Sequence, residues 1–498
     1  MDWLHNRWLQ WVTSGVLMGI GFLSPFLWIV TILGAAYFLH LAISEMGRKS
    51  LYIGSWLAWT IKVSIVVFWF WSTYPISWLP LEAAKSQILA IGITWVAAAI
   101  TIGLCGPVVV SGVRLFRKLF ADHKASAMFL LTPLIWVLAE IFGSFAYSVL
   151  AIGPGGYLNI SFSFGYLGYV LAEHPLLLLL AKWGGVYILS AAGVLFALVL
   201  LHLSKTKQMA GYGIAMLVVV YLTSFVSVAS PVIQATYETR ISIIETKTDT
   251  ATLRDQAGLH RVRENLGEAM VVALELDPAY VVLPEGSGFF NQKESLGSEK
   301  FQFQLRYNNP QTIVIDTEVI TLPVGRVLQA YLYDSTTDQI EKVHKGYLVP
   351  QGEYLASLFV LLAKWFGYSA VIDAVKGDMG LVPGNLISQA ELPSEFPSVL
   401  FCFESVNPLS VRRLTTERPD QPFVAHPISH AWFNEPESLW YQLDQMLRVQ
   451  AVWNDTYIVS AGNFVSSKVY TPAGTIKTPT VVTAGDGWLV RETTIAIE

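Results

Sequence analysis

The chain divides near residue 238 into two halves with different hydrophobic patterns. Long apolar runs fill the first half, and the second half alternates short apolar runs with amphipathic stretches. Between Trp8 and Ser44 there is no Asp, Glu, Lys or Arg. One helix over these residues would be about 55 Å long, far beyond the roughly 30 Å hydrocarbon core of a bilayer. Pro25 lies in the middle and breaks a helix, so we predict a hairpin of two short membrane spans.

Five further apolar runs predict five more spans, which makes seven in all. Basic residues follow the second, fourth and sixth spans. The loops after the third and fifth spans, 73–85 and 151–174, contain a single Lys or Arg, Lys85. Because cationic loops stay in the cytoplasm, we predict a cytoplasmic N-terminus. An odd number of spans then puts residues 238–498 outside the cytoplasm, after a transmembrane helical domain at 1–237. The five runs are 51–72, 86–110, 126–150, 175–203 and 210–230; the basic residues are Arg48, Lys49, Arg114, Arg117, Lys118, Lys124, Lys205 and Lys207.

In the second half, strand-like runs are separated by helical stretches. This alternation is typical of an α/β domain with buried sheets. Segment 286–311 contains glycines, mixed charge and four phenylalanines, and it predicts a mobile loop that either dips into a bilayer or packs on the domain. The strand-like runs are 241–245, 279–284, 312–321, 327–334, 398–404, 423–428 and 456–461; the helical stretches are 256–275, 352–366 and 436–450.

Composition agrees with a membrane segment joined to a soluble domain. Charged residues make up 14% of the 498 residues, against about 25% in soluble proteins. The net charge of −5 and the absence of a long basic run argue against a nucleic-acid partner. The two cysteines, Cys105 and Cys402, lie in different halves, so no disulfide is expected. No phosphate-binding glycine loop or metal-ligand spacing occurs, and we predict no cofactor.

Three residues in the second half supply a carboxylate, an amine and a thiol. Glu285 and Cys402 each follow an apolar strand-like run, and Lys345 lies between them in the chain. A carboxylate after such a strand is desolvated, which raises its pKa toward the range useful for proton transfer. A lysine beside a thiol stabilises an oxyanion. Taken singly, Cys402 fits a buried apolar cysteine and Lys345 a surface lysine near Lys342, but together the three side chains are the minimum set for acyl transfer through a thioester.

The same residues resemble the nitrilase (carbon-nitrogen hydrolase) superfamily, which uses a Glu-Lys-Cys triad in this order on an α-β-β-α sandwich. Within it, the chain is similar to apolipoprotein N-acyltransferases, which carry Lys-x-x-Leu-Val-Pro-x-Gly-Glu and Cys-Tyr-Glu segments. The matching segments here are Lys345–Glu353, Cys402–Glu404, Ser429–Phe433, Gly462–Asn463 and Pro472–Gly474.

The resemblance implies roles for the site residues and for the substrates. Glu285 is the general base, and Cys402 carries the acyl chain. Lys345 and the backbone N–H of Phe403 hold the oxyanion, while Glu353 and Glu404 orient the site. The acyl donor is a phospholipid and the acceptor is the N-terminal amine of a lipoprotein, at the outer face of a bacterial inner membrane.

The chain also departs from the family pattern, which leaves other functions open. Residues 481–498 are polar where the family has an eighth span, Glu245 replaces a glutamine, and a tryptophan expected near Arg254 is missing. Phe403 replaces a tyrosine and His430 an acidic residue. The alternatives are a membrane-anchored nitrilase-type amidase or acyltransferase with another acceptor, as in proteins encoded with conjugation systems, and a non-catalytic assembly component; the intact triad argues against the last.

Two features of the first half have both a structural and a functional interpretation. Lys62 and Glu140 fall inside predicted spans, where charged residues often mark a functional site. The structural alternatives are an ion pair between them, or a Lys62 side chain that extends toward the membrane interface. We favour the structural interpretation. The glycine- and aromatic-rich loop 151–174 fits either an interfacial substrate-entry segment or an ordinary aromatic belt.

Overall fold

The structure is a computed structural model in which a helical part is followed by an α/β domain. Most of the predicted 286–311 loop, including Phe301 and Phe303, lies outside the described residues. The structure describes residues 6–497 except for 45–46, 79–80, 82, 121–123, 205, 226–236, 250–251, 253–255, 291–304, 306–307, 310, 376, 378–379, 385–388 and 435.

The first half is helical, and its helices follow the apolar runs. The break predicted at Pro25 is present, because a 3₁₀ turn at Pro25–Leu27 separates the first two helices. The run 86–110 is divided between two helices, and the run 175–203 becomes one long helix only from Gly185. The helices are α1 Arg7–Ile20, α2 Trp28–Ile43, α3 Arg48–Val66, α4 Ala84–Ile102, α5 Cys105–Leu119, α6 Lys124–Leu150, α7 Leu167–Leu171, α8 Pro175–Leu178, α9 Gly185–Leu203 and α10 Lys207–Thr223.

Four helical stretches of the described chain are long and apolar enough to cross a membrane. The count of seven spans stays a prediction, because the remaining helices are shorter or less apolar than that criterion requires. The four stretches are Pro25–Ile43, Ala84–Leu119, Phe129–Leu150 and Gly185–Leu203.

The second half contains two sheets that are joined at a single residue pair, Thr246 and Asn463. The first sheet has the order β11-β12-β1-β2-β3-β4-β5, and the second has the order β6-β7-β8-β9-β10. The strands are β1 Tyr237–Thr246, β2 Tyr280–Val282, β3 Ile313–Leu322, β4 Gly325–Asp334, β5 Gln339–His344, β6 Ser398–Val399, β7 Val424–Ser429, β8 Ile458–Asn463, β9 Lys468–Tyr470, β10 Ile476–Lys477, β11 Thr480–Gly485 and β12 Trp488–Ile497.

Side-chain alternation along the strands explains how the two sheets pack. On β1, Ile241 and Ile243 point into a core shared with Ala425 and Val459 of the second sheet. Ile244 points to the opposite face, where it packs with a helix. Successive side chains of a strand lie on opposite faces, so both faces of this sheet are buried.

Helices cover the outer faces of both sheets, which completes an α-β-β-α sandwich. Helix α11 packs on the first sheet through Leu266, Ala269 and Met270, and two C-terminal helices pack on the second sheet through Val411 and Leu447. The predicted α/β sandwich class is confirmed. The helices of this half are α11 Gln256–Glu275, α12 Ser357–Trp365, α13 Ser369–Ala374, α14 Ser410–Glu417 and α15 Glu437–Asn454.

Two predicted elements differ from the structure, and the C-terminal residues form two strands that were not predicted. The run 398–404 is a strand only at Ser398–Val399, and a 3₁₀ helix begins at Cys402. The predicted helix 352–366 begins at Ser357, so Glu353 precedes it. The polar residues after Thr480 form the hairpin β11–β12, and β12 pairs with β1 over ten residues. Strand β11 is therefore the edge of the first sheet, and β12 lies between β11 and β1.

The loop 151–174 packs between the two halves. Phe162, Phe164 and Tyr166 are buried there, and the Ser163 hydroxyl donates to the carbonyl of Val406 at 2.6 Å. Only Tyr157 of the predicted aromatic set has a large exposed fraction, 43%. These buried side chains argue against an ordinary aromatic belt, because they pack inside the protein. The substrate-entry interpretation stays a prediction.

Candidate active site

Strand ends bring the three predicted side chains together. Glu285 follows β2, Lys345 directly follows β5, and Cys402 follows β6 in the second sheet. The site therefore lies at one edge of the sandwich, with residues from both sheets. Strands β2 and β6 are buried and β5 is largely exposed. All three are paired, so the backbone on the N-terminal side of each side chain is fixed by sheet hydrogen bonds.

Lys345 is the centre of a buried charge cluster. Its Nζ donates to Glu285 Oε1 at 3.0 Å and to Glu353 Oε1 at 2.7 Å. The lysine residue is 1% exposed, which excludes the interpretation of Lys345 as a surface lysine. A buried ammonium is costly unless it is paired and hydrogen-bonded, and here two carboxylates meet that need.

Burial sets the protonation of the site. It raises the pKa of the Glu285 carboxyl to about 7, although the Lys345 ammonium acts in the opposite direction. Burial, and then the charge of Glu285, raises the pKa of the Cys402 thiol well above its ordinary value. Burial acts to lower the pKa of Lys345, but the two carboxylates outweigh it and raise that pKa. The resting site thus holds an ammonium, a thiol, and a carboxyl that titrates near neutral pH.

Glu353 and Glu404 hold backbone groups around the cluster. The second oxygen of Glu353 accepts from the Val349 N–H at 2.7 Å. Glu404 accepts from the N–H groups of Gly346 and Tyr347 at 2.8 and 3.1 Å, and from the N–H of Phe401 at 3.1 Å. Glu404 therefore ties the segment after Lys345 to the segment before Cys402, which fixes the distance between the amine and the thiol.

Cys402 begins the 3₁₀ helix Cys402–Val406. Its thiol lies 3.8 Å from the carbonyl oxygen of Ser429. Phe403 follows, with its ring stacked on that of Tyr347 at 5.3 Å. The first N–H groups of a helix have no acceptor inside it, so the N–H of Phe403 is available to a ligand beside the thiol.

The cluster opens into a large apolar cavity of about 510 Å³. Glu285, Lys345 and Cys402 all line it. Trp432 of the α/β domain also lines it and stacks on Trp78 of the helical half, with ring centroids 5.6 Å apart. Much of the remaining wall comes from helical-half side chains, among them Trp69, Phe70, Leu89, Ile93 and Phe164.

Two buried histidines, one on β7 and one just after it, lie near Cys402. The His430 ring lines the cavity, and its Nδ1 accepts from the indole N–H of Trp440 at 2.7 Å. Burial lowers the pKa of His430 to about 3, so its ring is neutral. His426 is fully buried and contacts the carbonyl oxygen of Cys402. His426 was not identified from the sequence, where its one signal is a histidine inside an apolar strand run.

Comparisons with known proteins give a curated relative of part of the chain. No protein-family model matches the chain. It is 25% identical over 212 residues to the apolipoprotein N-acyltransferase of Aquifex aeolicus (strain VF5), a match that covers 42% of this chain. The chain spans 44% of the length of that curated relative.

Solved structures of lower similarity match about half of the chain. The NitN amidase from Neterenkonia sp. AN1 is 16% identical, with a TM-score of 0.31, and the match covers 51% of this chain and 92% of that one. A CN-hydrolase superfamily protein from Xanthomonas campestris is 15% identical, with a TM-score of 0.35, over 52% of this chain and 91% of that one. Neither likeness is close enough to bear on the function of this chain. By its curated relative and by the residues of its site, the chain resembles a divergent apolipoprotein N-acyltransferase, from the membrane-bound branch of the nitrilase superfamily.

Proposed function

We propose that this protein is a membrane acyltransferase that moves a fatty acyl chain from a phospholipid, through a Cys402 thioester, to the N-terminal amine of a lipoprotein. The observation that carries the proposal is the position of Glu285, Lys345 and Cys402 on one cavity whose wall includes apolar side chains of the helical half. Such a wall suits an acyl chain that enters from a bilayer, and the confinement of both lipid substrates supplies proximity.

The first half-reaction forms the thioester. Glu285 accepts the thiol proton as the sulfur of Cys402 adds to the ester carbonyl carbon, and the carbonyl π electrons move to oxygen. Lys345 stabilises that oxyanion. The tetrahedral intermediate then expels the lysophospholipid alkoxide, which takes the proton back from Glu285. A base whose pKa is about 7 suits both proton transfers.

The second half-reaction releases the product. The amine of the acceptor adds to the thioester carbonyl, and Glu285 accepts a proton from the attacking nitrogen. The C–S bond breaks, the thiolate of Cys402 recovers the proton, and an amide leaves. The same chemistry with water in place of the amine is hydrolysis, so exclusion of water from the apolar cavity favours transfer.

The orientation in the membrane is part of the proposal. The bias of basic loops, together with the predicted odd number of spans, supports a cytoplasmic N-terminus and an α/β domain on the extracytoplasmic side of a bacterial inner membrane. A reporter that is active only outside the cytoplasm, fused after Glu498, is expected to be active. A cytoplasmic C-terminus contradicts both the orientation and the lipoprotein acceptor.

The thioester gives the direct test of the proposed function. Purified protein is mixed with phospholipid in the absence of an amine acceptor, and its intact mass is measured. We expect a gain of one acyl chain that neutral hydroxylamine removes, as ping-pong chemistry requires. Cys402→Ala is expected to gain nothing. Cys105→Ala is the matched control and is expected to gain the chain, because Cys105 is fully buried in the helical half.

The outcomes separate the candidate functions. A mass gain that resists hydroxylamine, or one that depends on Cys105, contradicts the mechanism. Turnover of a soluble amide together with no gain from any phospholipid assigns the protein to the amidase alternative. Once the thioester is established, mass spectrometry of lipoprotein N-termini from cells depleted of the protein, and from the same cells after complementation, tests the acceptor.

A further inference from the structure

The peptide group between Cys402 and Phe403 has two ends with different partners. Its carbonyl oxygen accepts from the Ser405 hydroxyl at 2.7 Å and lies 3.2 Å from His426 Nε2. Its N–H belongs to Phe403 at the start of the 3₁₀ helix, where a helix offers no acceptor. In a trans peptide the C=O and N–H point in opposite directions, so whatever fixes the carbonyl also aims the N–H.

The contacts of His426 determine which of its ring nitrogens carries the proton. The carbonyl of Cys402 only accepts hydrogen bonds, so Nε2 is the donor. Nδ1 lies 3.1 Å from Ser460 Oγ and accepts from that hydroxyl. Burial lowers the pKa of His426 to about 4, so the ring is neutral at pH 7 and has one N–H. The ring is fully buried and held on both sides, which fixes its direction.

From this geometry we propose that His426 is a positioning residue that, together with Ser405, orients and polarises the Cys402–Phe403 peptide so that its N–H stabilises the oxyanion of the acyl-transfer intermediate. The inference rests on the proposed function only in that Cys402 is the nucleophile. Hydrogen bonds to the carbonyl strengthen the donor at the other end of the same peptide, because linked hydrogen bonds polarise one another. His426 does not itself touch the reacting atoms.

The test compares two reactions of the same thiol. Acylation by p-nitrophenyl butanoate passes through a tetrahedral oxyanion, whereas alkylation by iodoacetamide displaces iodide without forming one. A residue that acts through the oxyanion affects the first rate only. Loss of a direct oxyanion donor costs about 10²–10³-fold in rate, so we expect about 10-fold or more slower acylation in His426→Leu. Alkylation is expected to stay within about twofold of wild type.

Matched variants keep the test independent of folding. Ser405→Ala removes the other donor to the same carbonyl with a small change of volume, and we expect the same selective loss of acylation. His426→Gln retains an amide N–H and is expected to recover part of the rate. His260→Leu replaces an exposed histidine on α11 and is expected to change neither rate.

The outcomes distinguish this inference from the proposed function. Equal losses of acylation and alkylation in His426→Leu and Ser405→Ala would mean that these residues only hold the thiol in place, and unchanged acylation would mean that they have no role; either overturns the inference. Selective loss with the activated ester, in a protein that no phospholipid acylates, supports the inference and overturns the phospholipid donor. A wild-type protein that neither the ester nor any phospholipid acylates overturns both.

Discussion

Each half of the molecule contains a lysine that interacts electrostatically with glutamate and cysteine side chains, and the surroundings of the two groups differ. In the α/β domain, Lys345 is paired to two carboxylates, and the group lines the cavity. In the helical half, Lys62 interacts electrostatically with Glu140 and Cys105. Its Nζ lies 4.2 Å from the centroid of the Trp59 ring, and none of these helical residues lines the cavity.

The two groups therefore differ in access and orientation, and not in residue type. Glu140 accepts from the indole N–H of Trp136 and from the N–H of Leu167, so it joins α6 to the start of α7. The thiol of Cys105 donates to the carbonyl of Ala139 at 2.9 Å. These hydrogen bonds connect Glu140 and Cys105 to other parts of the helical half. Cys402, in contrast, lines a cavity that a substrate can fill.

Replacement of each lysine by methionine gives the largest expected difference. Lys345→Met removes the oxyanion charge and leaves Glu285 and Glu353 without their cation, so thioester formation is expected to fall by at least about 10³-fold. Lys62→Met is expected to keep the rate within about threefold and to change the melting temperature instead. The rate of thioester formation is measured by intact mass, at matched amounts of folded protein.

Equal losses of activity in the two lysine variants would contradict the difference between the two halves.

Residues that act as a unit are not additive, so Lys345→Ala combined with Glu285→Ala is expected to be no slower than either single variant. A double variant slower by the product of the two single effects would mean that the residues act independently.

The sequence predicted the parts of this site that follow strands. An apolar run that ends in a charged or thiol side chain indicates where a buried strand delivers a residue, and this located Glu285 and Cys402. The local pattern did not predict a buried Lys345, because its neighbours Lys342 and His344 are typical of a solvated strand end. The motif resemblance identified it, and only the packing of Glu285 and Glu353 around it accounts for its burial.

The remaining errors came from contacts that no local pattern contains. The run to 404 had the composition of a strand, but Glu404 turns back to accept from the N–H of Phe401, and a 3₁₀ helix results. Strand β12 was not predicted because four consecutive polar residues, 491–494, interrupt its apolar positions. It forms because β1 offers a partner edge over its full length, and that partner lies some 250 residues earlier in the chain.

The pH dependence of thioester formation tests whether Glu285 acts as the general base. A general base works only when deprotonated, so the rate is expected to rise about 10-fold per pH unit up to about pH 7 and then to level off. The charge of Glu353 raises the pKa of Glu285, so Glu353→Gln should move that break to lower pH. Glu140→Gln is the control in the helical half and should leave the break in place.

Glu404→Gln tests the coupling between the lysine and cysteine segments. The carboxylate accepts three backbone N–H groups, and a glutamine has one oxygen to accept with, so at least one buried N–H loses its partner. Loss of such a bond costs about 1–3 kcal/mol of stability. We expect thioester formation to slow by about 10–100-fold through misplacement of Lys345 relative to the thiol, measured at a temperature well below the melting temperature of the variant.

A drop in melting temperature without a drop in rate would limit Glu404 to a structural role. Gln450→Leu is a matched comparison in the same domain, because its amide donates to the carbonyl of Ser405 and it does not line the cavity. It should lose stability with a smaller loss of rate.

The smallest expected effect concerns the cavity wall that the helical half supplies. Ile93 on α4 lines the cavity, whereas Val96, three residues further on, has 47% of its surface exposed on the outside of the helix. Ile93→Trp fills part of the space, so the rate with a long acyl donor should fall about 3- to 10-fold relative to a short one. Val96→Trp should leave the ratio of the two rates unchanged, because Val96 points away from the cavity and does not line it. Rates are compared for phospholipids that differ only in acyl length, and equal ratios in the two variants would mean that the acyl chain does not occupy this wall.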